Sequence, residues 1–265
     1  MRDHQTRATV NTQDPAARLV RLGEAVITVA DDYPTFWDKA DAGRWEPGTL
    51  AVMATVLEPG AVFIDLGAWI GPTSLFAAAC GARVIAVEAD PAALTALRRN
   101  IAANPTLADR ITVVERAVDG QAGTVSFGAR RKPGDSMSST LLAAEASVTW
   151  SAETVTPAEL AGMVKPQERT VIKIDIEGGE YQLLPALAPL VAHPAATVVV
   201  SFHPQILAEA RPQDDLGALS RAALAPFAEW QARRISDAGA GALRDVRELT
   251  GGTAYPDGEW LLTKT

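Results

Sequence analysis

Two short stretches of the chain concentrate acids and glycines. The first, Asp65-Leu66-Gly67-Ala68-Trp69-Ile70-Gly71, follows the apolar run Ala61-Val62-Phe63-Ile64 and leads into an Ala-rich segment. A buried strand that ends in an acid and turns through two glycines into a helix lets backbone approach a ligand. It also offers free N–H donors at the helix start. The second, Lys173-Ile174-Asp175-Ile176-Glu177-Gly178-Gly179-Glu180, brings three acids and two glycines to the end of another apolar run.

The glycine spacing is Gly-x-x-x-Gly, not the Gly-x-Gly-x-x-Gly of a dinucleotide site, and Asp65 would repel a pyrophosphate. The same acid suits a ligand that carries an ammonium and a sulfonium, because opposite charge in a partly desolvated turn is favourable. Glu88 closes the next apolar run, Val84-Ile85-Ala86-Val87, and is followed by Ala89-Asp90-Pro91. An acid about twenty residues beyond a glycine turn is placed to accept hydrogen bonds from both hydroxyls of a ribose. Asp90, directly before Pro91, reads instead as an ordinary helix cap. The third strand, Ile111 to Val118, ends where an adenine would lie, with small Ala117 against its plane. The expected cofactor contacts are therefore Asp65, Gly67, Ala68, Gly71, Glu88, Ala89, Ala117 and Asp175.

Ligands of open α/β sheets bind at the carboxyl edge of the strands, which puts Asp175 and Glu177 beside the reacting centre. Lys173 shares a strand face with Asp175 and competes for it as an ion-pair partner, while Glu180 also suits a helix start. His203 closes the run Val198-Val199-Val200-Ser201-Phe202. Its ordinary pKa near 6.5 makes it a proton acceptor at neutral pH. The catalytic candidates are His203, Asp175 and Glu177. No metal is expected, because acids that leave a strand for a helix diverge and Lys173 adds a competing charge.

Positioning these residues takes an alternation of short β-branched runs with Ala- and Leu-rich stretches, the pattern of parallel βαβ units. Strands are expected at 61–66, 83–88, 111–117, 170–176 and 196–202, with helices at 72–80, 91–103 and 180–191. Both strand faces are apolar, as in a sheet covered by helices on each side. Two closing strands are expected after residue 230. Residues 121–155 break the alternation and suggest an inserted β-hairpin with a mobile loop. Helices at 34–43 and 48–57 form an N-terminal helical cap over 21–60, with 61–265 as the core of a single α/β domain. Residues 1–20 read as a loosely ordered arm.

A net charge of −8 opposes nucleic-acid binding, which normally needs a basic footprint. Cys80 is the single cysteine, so neither an internal disulfide nor a zinc cluster is available. The polar first twenty residues offer no signal peptide or membrane span. A soluble cytoplasmic protein acting on a small molecule is expected; its oligomeric state is not legible.

The set Trp45-Glu46-Pro47, Asp65 to Gly71, Glu88 and Lys173 to Glu180 resembles the FkbM-type methyltransferases. The resemblance implies a Rossmann-like class I methyltransferase fold, with a mostly parallel seven-stranded sheet. It implies S-adenosylmethionine as cofactor and a hydroxyl of a natural product or sugar as acceptor, while the sequence leaves an amine or carboxylate acceptor as the alternative. It also implies that Glu46 approaches the methionine end of the cofactor. The sequence departs from the family at Trp69, where Asn is usual, and at Ser201, where an acid is usual.

Overall fold

The computed structural model describes residues 17–129, 132–135, 138–143, 146, 148–251 and 255–265. The chain opens on an antiparallel hairpin, β1 (Ala17–Leu22) with β2 (Ala25–Ala30), followed by α1 (Pro34–Asp41) and α2 (Pro47–Val56). The cap is thus a hairpin plus two helices, not helices alone. Residues 17–20, expected in the arm, are strand because Val20 and Leu22 alternate inward with Ile27 and Val29, all fully buried near Trp37 and Phe76. Residues 1–16 of that arm lie outside the described residues.

The core then runs β3 (Val62–Leu66), α3 (Pro72–Ala79), β4 (Arg83–Val87), α4 (Pro91–Ala102), α5 (Pro105–Ala108), β5 (Ile111–Val114) and β6 (Ala117–Val118). The insertion supplies β7 (Thr124–Ala129), β8 (Ser138–Ser139) and β9 (Thr149–Val155), and α6 (Pro157–Ala161) leads out of it. Next come β10 (Thr170–Ile174), α7 (Glu180–Leu183), α8 (Ala188–Val191), β11 (Ala196–Phe202), α9 (Pro204–Ala210) and α10 (Leu216–Leu224). The chain closes on β12 (Trp230–Ser236), β13 (Gly239–Ala240), β14 (Arg244–Asp245) and β15 (Gly258–Lys264).

The main sheet has the order β13-β12-β15-β11-β10-β3-β4-β5, with β14 on β12. Strands β11, β10, β3, β4 and β5 pair in parallel, and the C-terminal strands pair antiparallel. Among the described residues nine strands replace the seven expected, since the chain after β12 doubles back and adds two-residue strands to it. The insertion is also larger than a hairpin: β6, β9, β7 and β8 form a separate four-stranded sheet, with β6 recruited as a parallel neighbour of β9. Phe127 stacks on Trp150 across it at 5.8 Å.

Apolar layers cover both faces of the main sheet, one around Leu183, Leu187, Leu190 and Phe227, the other around Trp37, Met53, Leu75 and Leu97. Strand order reverses between β3 and β10, so a crevice is forced at their carboxyl ends. Among the described residues no helix is long and apolar enough to cross a membrane.

Candidate active site

Two cavities, of about 460 and 540 Å³, open at that crevice. Glu88, Ala89, Ala117 and Phe127 line the first, and Glu46, Ala68, Lys173 and His203 line the second. They share Gly67, Trp69, Asp175 and Glu177. Among the described residues, the non-glycines with positive φ are Glu46 at 42°, Trp69 at 48° and Glu177 at 53°. All three line the second cavity. Left-handed backbone is costly for such side chains and persists where the surroundings over-determine it, typically at functional sites.

Packing demands both glycines of the turn, and of the two Gly67 also lines the cavities as the sequence reading expects. A Cβ on Gly67, at φ 85°, would stand 2.1 Å from the Asp175 carbonyl oxygen; one on Gly71, at φ 91°, would stand 2.5 Å from Leu97 Cδ1. Gly71 lines neither cavity, and neither does Asp65. Fully buried Asp65 instead fastens the first turn of α3, accepting from Thr73 Oγ1 at 2.7 Å and Ser74 Oγ at 2.6 Å on Oδ2. Its Oδ1 is buried without a partner. Burial pushes its pKa up, against the opposing charge of Lys173 and the two hydroxyls.

Glu88 accepts from Trp69 N at 2.7 Å on one oxygen, and from Ala89 N at 2.8 Å and Asp90 N at 2.7 Å on the other. A carboxylate offers roughly four acceptor positions. Space for about one ligand hydroxyl is left, where the sequence reading assigned two. Burial outweighs these N–H bonds and pushes the Glu88 pKa up to about 7. Asp90 is the cap expected from Pro91, accepting from Ala92 N and Ala93 N, but its other oxygen accepts from Gly134 N at 2.6 Å and Ser138 Oγ at 3.0 Å. Trp69 Nε1 donates to Gly134 O at 2.9 Å, and Trp150 Nε1 to Ala89 O at 3.2 Å. The insertion is thereby tied over the first cavity.

At the junction, Lys173 Nζ lies 2.9 Å from Asp175 Oδ2, and its side chain is only 3% exposed. Burial would lower the lysine, but Asp175, Glu46 and Asp65 hold its pKa above the ordinary value. Burial would likewise raise Asp175, and Lys173 and His203 reverse the sign and keep it low. His203 Nδ1 meets Glu180 Oε1 at 2.9 Å, while Nε2 lies 3.7 Å from Asp175 Oδ1 and 3.9 Å from Glu177 Oε2. Burial disfavours the imidazolium, yet the Glu180 hydrogen bond and the three carboxylates win and push its pKa up to about 9. His203 is therefore charged at neutral pH and does not suit the proton-accepting role read from the sequence. Glu177 does: burial and Asp175 raise its carboxyl to about 7. Glu180, fully buried, accepts from Gly178 N at 2.8 Å and His203 N at 2.7 Å, so it positions the histidine.

A family model for the methyltransferase FkbM domain matches residues 60–221. The chain belongs to that family. No curated protein matches the sequence. Solved structures similar to it include a precorrin-6y C5,15-methyltransferase from Geobacter metallireducens, at 13% identity over 82% of this chain and 86% of that one, with a TM-score of 0.40. Another is a precorrin 8w decarboxylase from Methanobacterium thermoautotrophicum, at 16% identity over 82% and 89%, with a TM-score of 0.39. The assignment rests on the sequence match.

This member of the FkbM family has a carboxylate that sequence reasoning missed. Glu259 on β15 pairs in register with Ser201 on β11, so the neighbouring antiparallel strand places an acid beside the position where the family usually carries one. Thr49 Oγ1 donates to Glu259 Oε2. Burial raises the Glu259 pKa despite that bond and Lys173. Glu46, at the start of α2, has Oε2 buried without a hydrogen-bond partner among the described residues, and burial pushes its pKa up to about 8 against the pull of Lys173. The divergence expected of the strand-end acids is not what the structure shows: Asp175 and Glu177 face His203 Nε2, and Glu180 faces its Nδ1. Asp175, Glu177 and His203 consequently present one ligating atom each within 4.8 Å of one another, a geometry open to a metal ion. Lys173 and the His203 proton already supply positive charge there.

Proposed function

We propose that the protein transfers a methyl group from S-adenosylmethionine to a hydroxyl oxygen of a small molecule, a natural product or sugar. The observation that carries this reading is the meeting of two cavities at Gly67, Trp69, Asp175 and Glu177. One holds the features suited to a nucleoside: Glu88 with an acceptor position to spare, and the small residues Ala89 and Ala117. The other holds Glu46, whose partnerless buried oxygen fits the ammonium of a methionine moiety. The acids around the junction suit a sulfonium, and they disfavour the pyrophosphate of a nicotinamide dinucleotide.

When bound, the cofactor supplies a methyl group already activated as a sulfonium. Positioning of the acceptor hydroxyl against it is then the larger part of the catalytic task. Glu177, with its carboxyl near neutrality, takes up the proton that the hydroxyl releases as its oxygen–carbon bond forms. Asp175 stays ionised beside Lys173, and His203, oriented by Glu180, presents Nε2–H toward both carboxylates.

Glu177→Gln tests the assignment. The turnover rate should fall on the order of 10² to 10⁴ with S-adenosylhomocysteine affinity nearly unchanged. The assay would follow S-adenosylhomocysteine release over a panel of hydroxylated metabolites. A variant as active as the wild type would remove Glu177 as the base, and turnover confined to amines or carboxylic acids would overturn the hydroxyl assignment.

A further inference from the structure

We propose that the acceptor is itself a cation: the hydroxyl-bearing molecule carries an ammonium group that the second cavity receives between Glu259 and the rings of Phe36 and Trp45. This rests on the methyl-transfer reading and specifies its substrate class.

Charge counting gives the first support. Carboxylates lining the second cavity are Glu46, Asp175, Glu177, Asp257 and Glu259; the cations are Lys39, Lys173 and His203. Asp175 is matched by Lys173 at 2.9 Å, and Asp257 by Arg234 at 3.2 Å. His203 is matched by Glu180 at 2.9 Å. Glu46, Glu177 and Glu259 remain, with Lys39 as their counterpart. The methionine end of the cofactor brings an ammonium for Glu46, a carboxylate for Lys39 and a sulfonium for Glu177. Glu259 is left over. Among the described residues it accepts a hydrogen bond from the neutral hydroxyl of Thr49 and feels the charge of Lys173, which Asp175 already pairs.

The second support is the aromatic wall of the same cavity. Phe36, Trp45 and Trp69 all line it. The Phe36 centroid lies 5.2 Å from Trp45 at 71° and 4.7 Å from Trp69 at 84°. Rings set nearly at right angles form a corner rather than a flat stack. Aromatic faces attract organic cations through their quadrupole, and aromatic cages are a recurring receptor for quaternary ammonium groups. A neutral sugar would gain nothing from a Glu259 charge, whereas an ammonium would favour the ionised carboxylate against the burial that raises its pKa. Trp69 stands where the family usually carries Asn, and Glu259 comes from a strand outside the FkbM-matched residues.

Choline and its uncharged isostere 3,3-dimethylbutan-1-ol separate charge from shape. Each is titrated by calorimetry, with tryptophan fluorescence in parallel, into protein saturated first with S-adenosylhomocysteine and then with S-adenosylmethionine. Choline should bind at least tenfold more tightly than the alcohol in both states. Glu259→Gln, which keeps an oxygen for Thr49, should abolish that preference, and Trp45→Leu should reduce it severalfold. Equal affinity for the two probes, or no choline binding at tens of millimolar, would overturn the proposal. Choline binding that disappears when S-adenosylmethionine replaces S-adenosylhomocysteine would also overturn it, by assigning the cation site to the sulfonium. Failure of S-adenosylhomocysteine to bind is read in its own titration and would sink the methyl-transfer reading.

Discussion

Glu88→Gln gives opposite pH signatures in binding and in stability. With a pKa of about 7, Glu88 is roughly nine-tenths ionised at pH 8 and about one-tenth ionised at pH 6. A ribose hydroxyl donates to the ionised form, so affinity for S-adenosylhomocysteine should fall about tenfold from pH 8 to pH 6, or about 1.4 kcal/mol. Stability runs the other way. The folded pKa lies above the ordinary value of 4.5, so the folded state binds more protons between those pH values. The contribution of Glu88 to stability is therefore lost as pH rises from about 4.5 through about 7, up to roughly 3 kcal/mol in total. Gln has no such titration and should remove this share of both slopes, leaving the share of Glu46 and Glu177. It also leaves at least one of the N–H groups of Trp69, Ala89 and Asp90 facing an amide donor, costing about 1 to 3 kcal/mol. Calorimetric titrations and urea melts at pH 6, 7 and 8 read both effects. A wild-type affinity independent of pH, or a variant that keeps the wild-type slope, would refute the assignment of Glu88 to the ribose.

Gly67→Ala adds a Cβ 2.1 Å from the Asp175 carbonyl at φ 85°, and should cost about 3 kcal/mol or more in a urea melt and weaken cofactor binding with it. Lys173→Met removes the cation opposing fully buried Asp65 and the nearer of the two opposing half-buried Asp175 and should destabilise by about 3 to 5 kcal/mol. The loss should be larger at pH 8 than at pH 5.5, since the acids escape the penalty by taking up protons; melts at the two pH values check the sign. Asp90→Ala should cost about 1 to 2 kcal/mol for the helix cap and speed hydrogen exchange at Gly134, whose N–H it holds; unchanged exchange there would contradict the tie between insertion and core.

The parallel core was legible because its signals are local. Runs such as Val198-Val199-Val200 and the turn from Asp65 to Gly71 state strand, turn and helix in consecutive residues, and the strands, helices and carboxyl-edge crevice follow. Glu46, Ala68, Glu88, Ala89, Ala117, Asp175, Glu177 and His203 all line the cavities found there. What failed depends on non-local geometry. Asp65 looks like a ligand contact in one dimension, but its partners are Thr73 and Ser74 on the next turn of chain. His203 reads as a base until three carboxylates converge on it from two elements. Glu259 reaches the site through the register of β15 on β11, and no periodicity encodes which residue will face Ser201. The insertion was underestimated because β6 is two residues long and pairs with a strand more than thirty positions away.

The central claim is that one cofactor spans both cavities, and calorimetry of the unmodified protein with S-adenosylhomocysteine, against nicotinamide adenine dinucleotide as control, tests it most directly. A single saturable site for S-adenosylhomocysteine, weakened by both Glu88→Gln and Glu46→Gln, with no heat from the dinucleotide, is the predicted result. Binding of the dinucleotide with none of S-adenosylhomocysteine at millimolar concentration would contradict it.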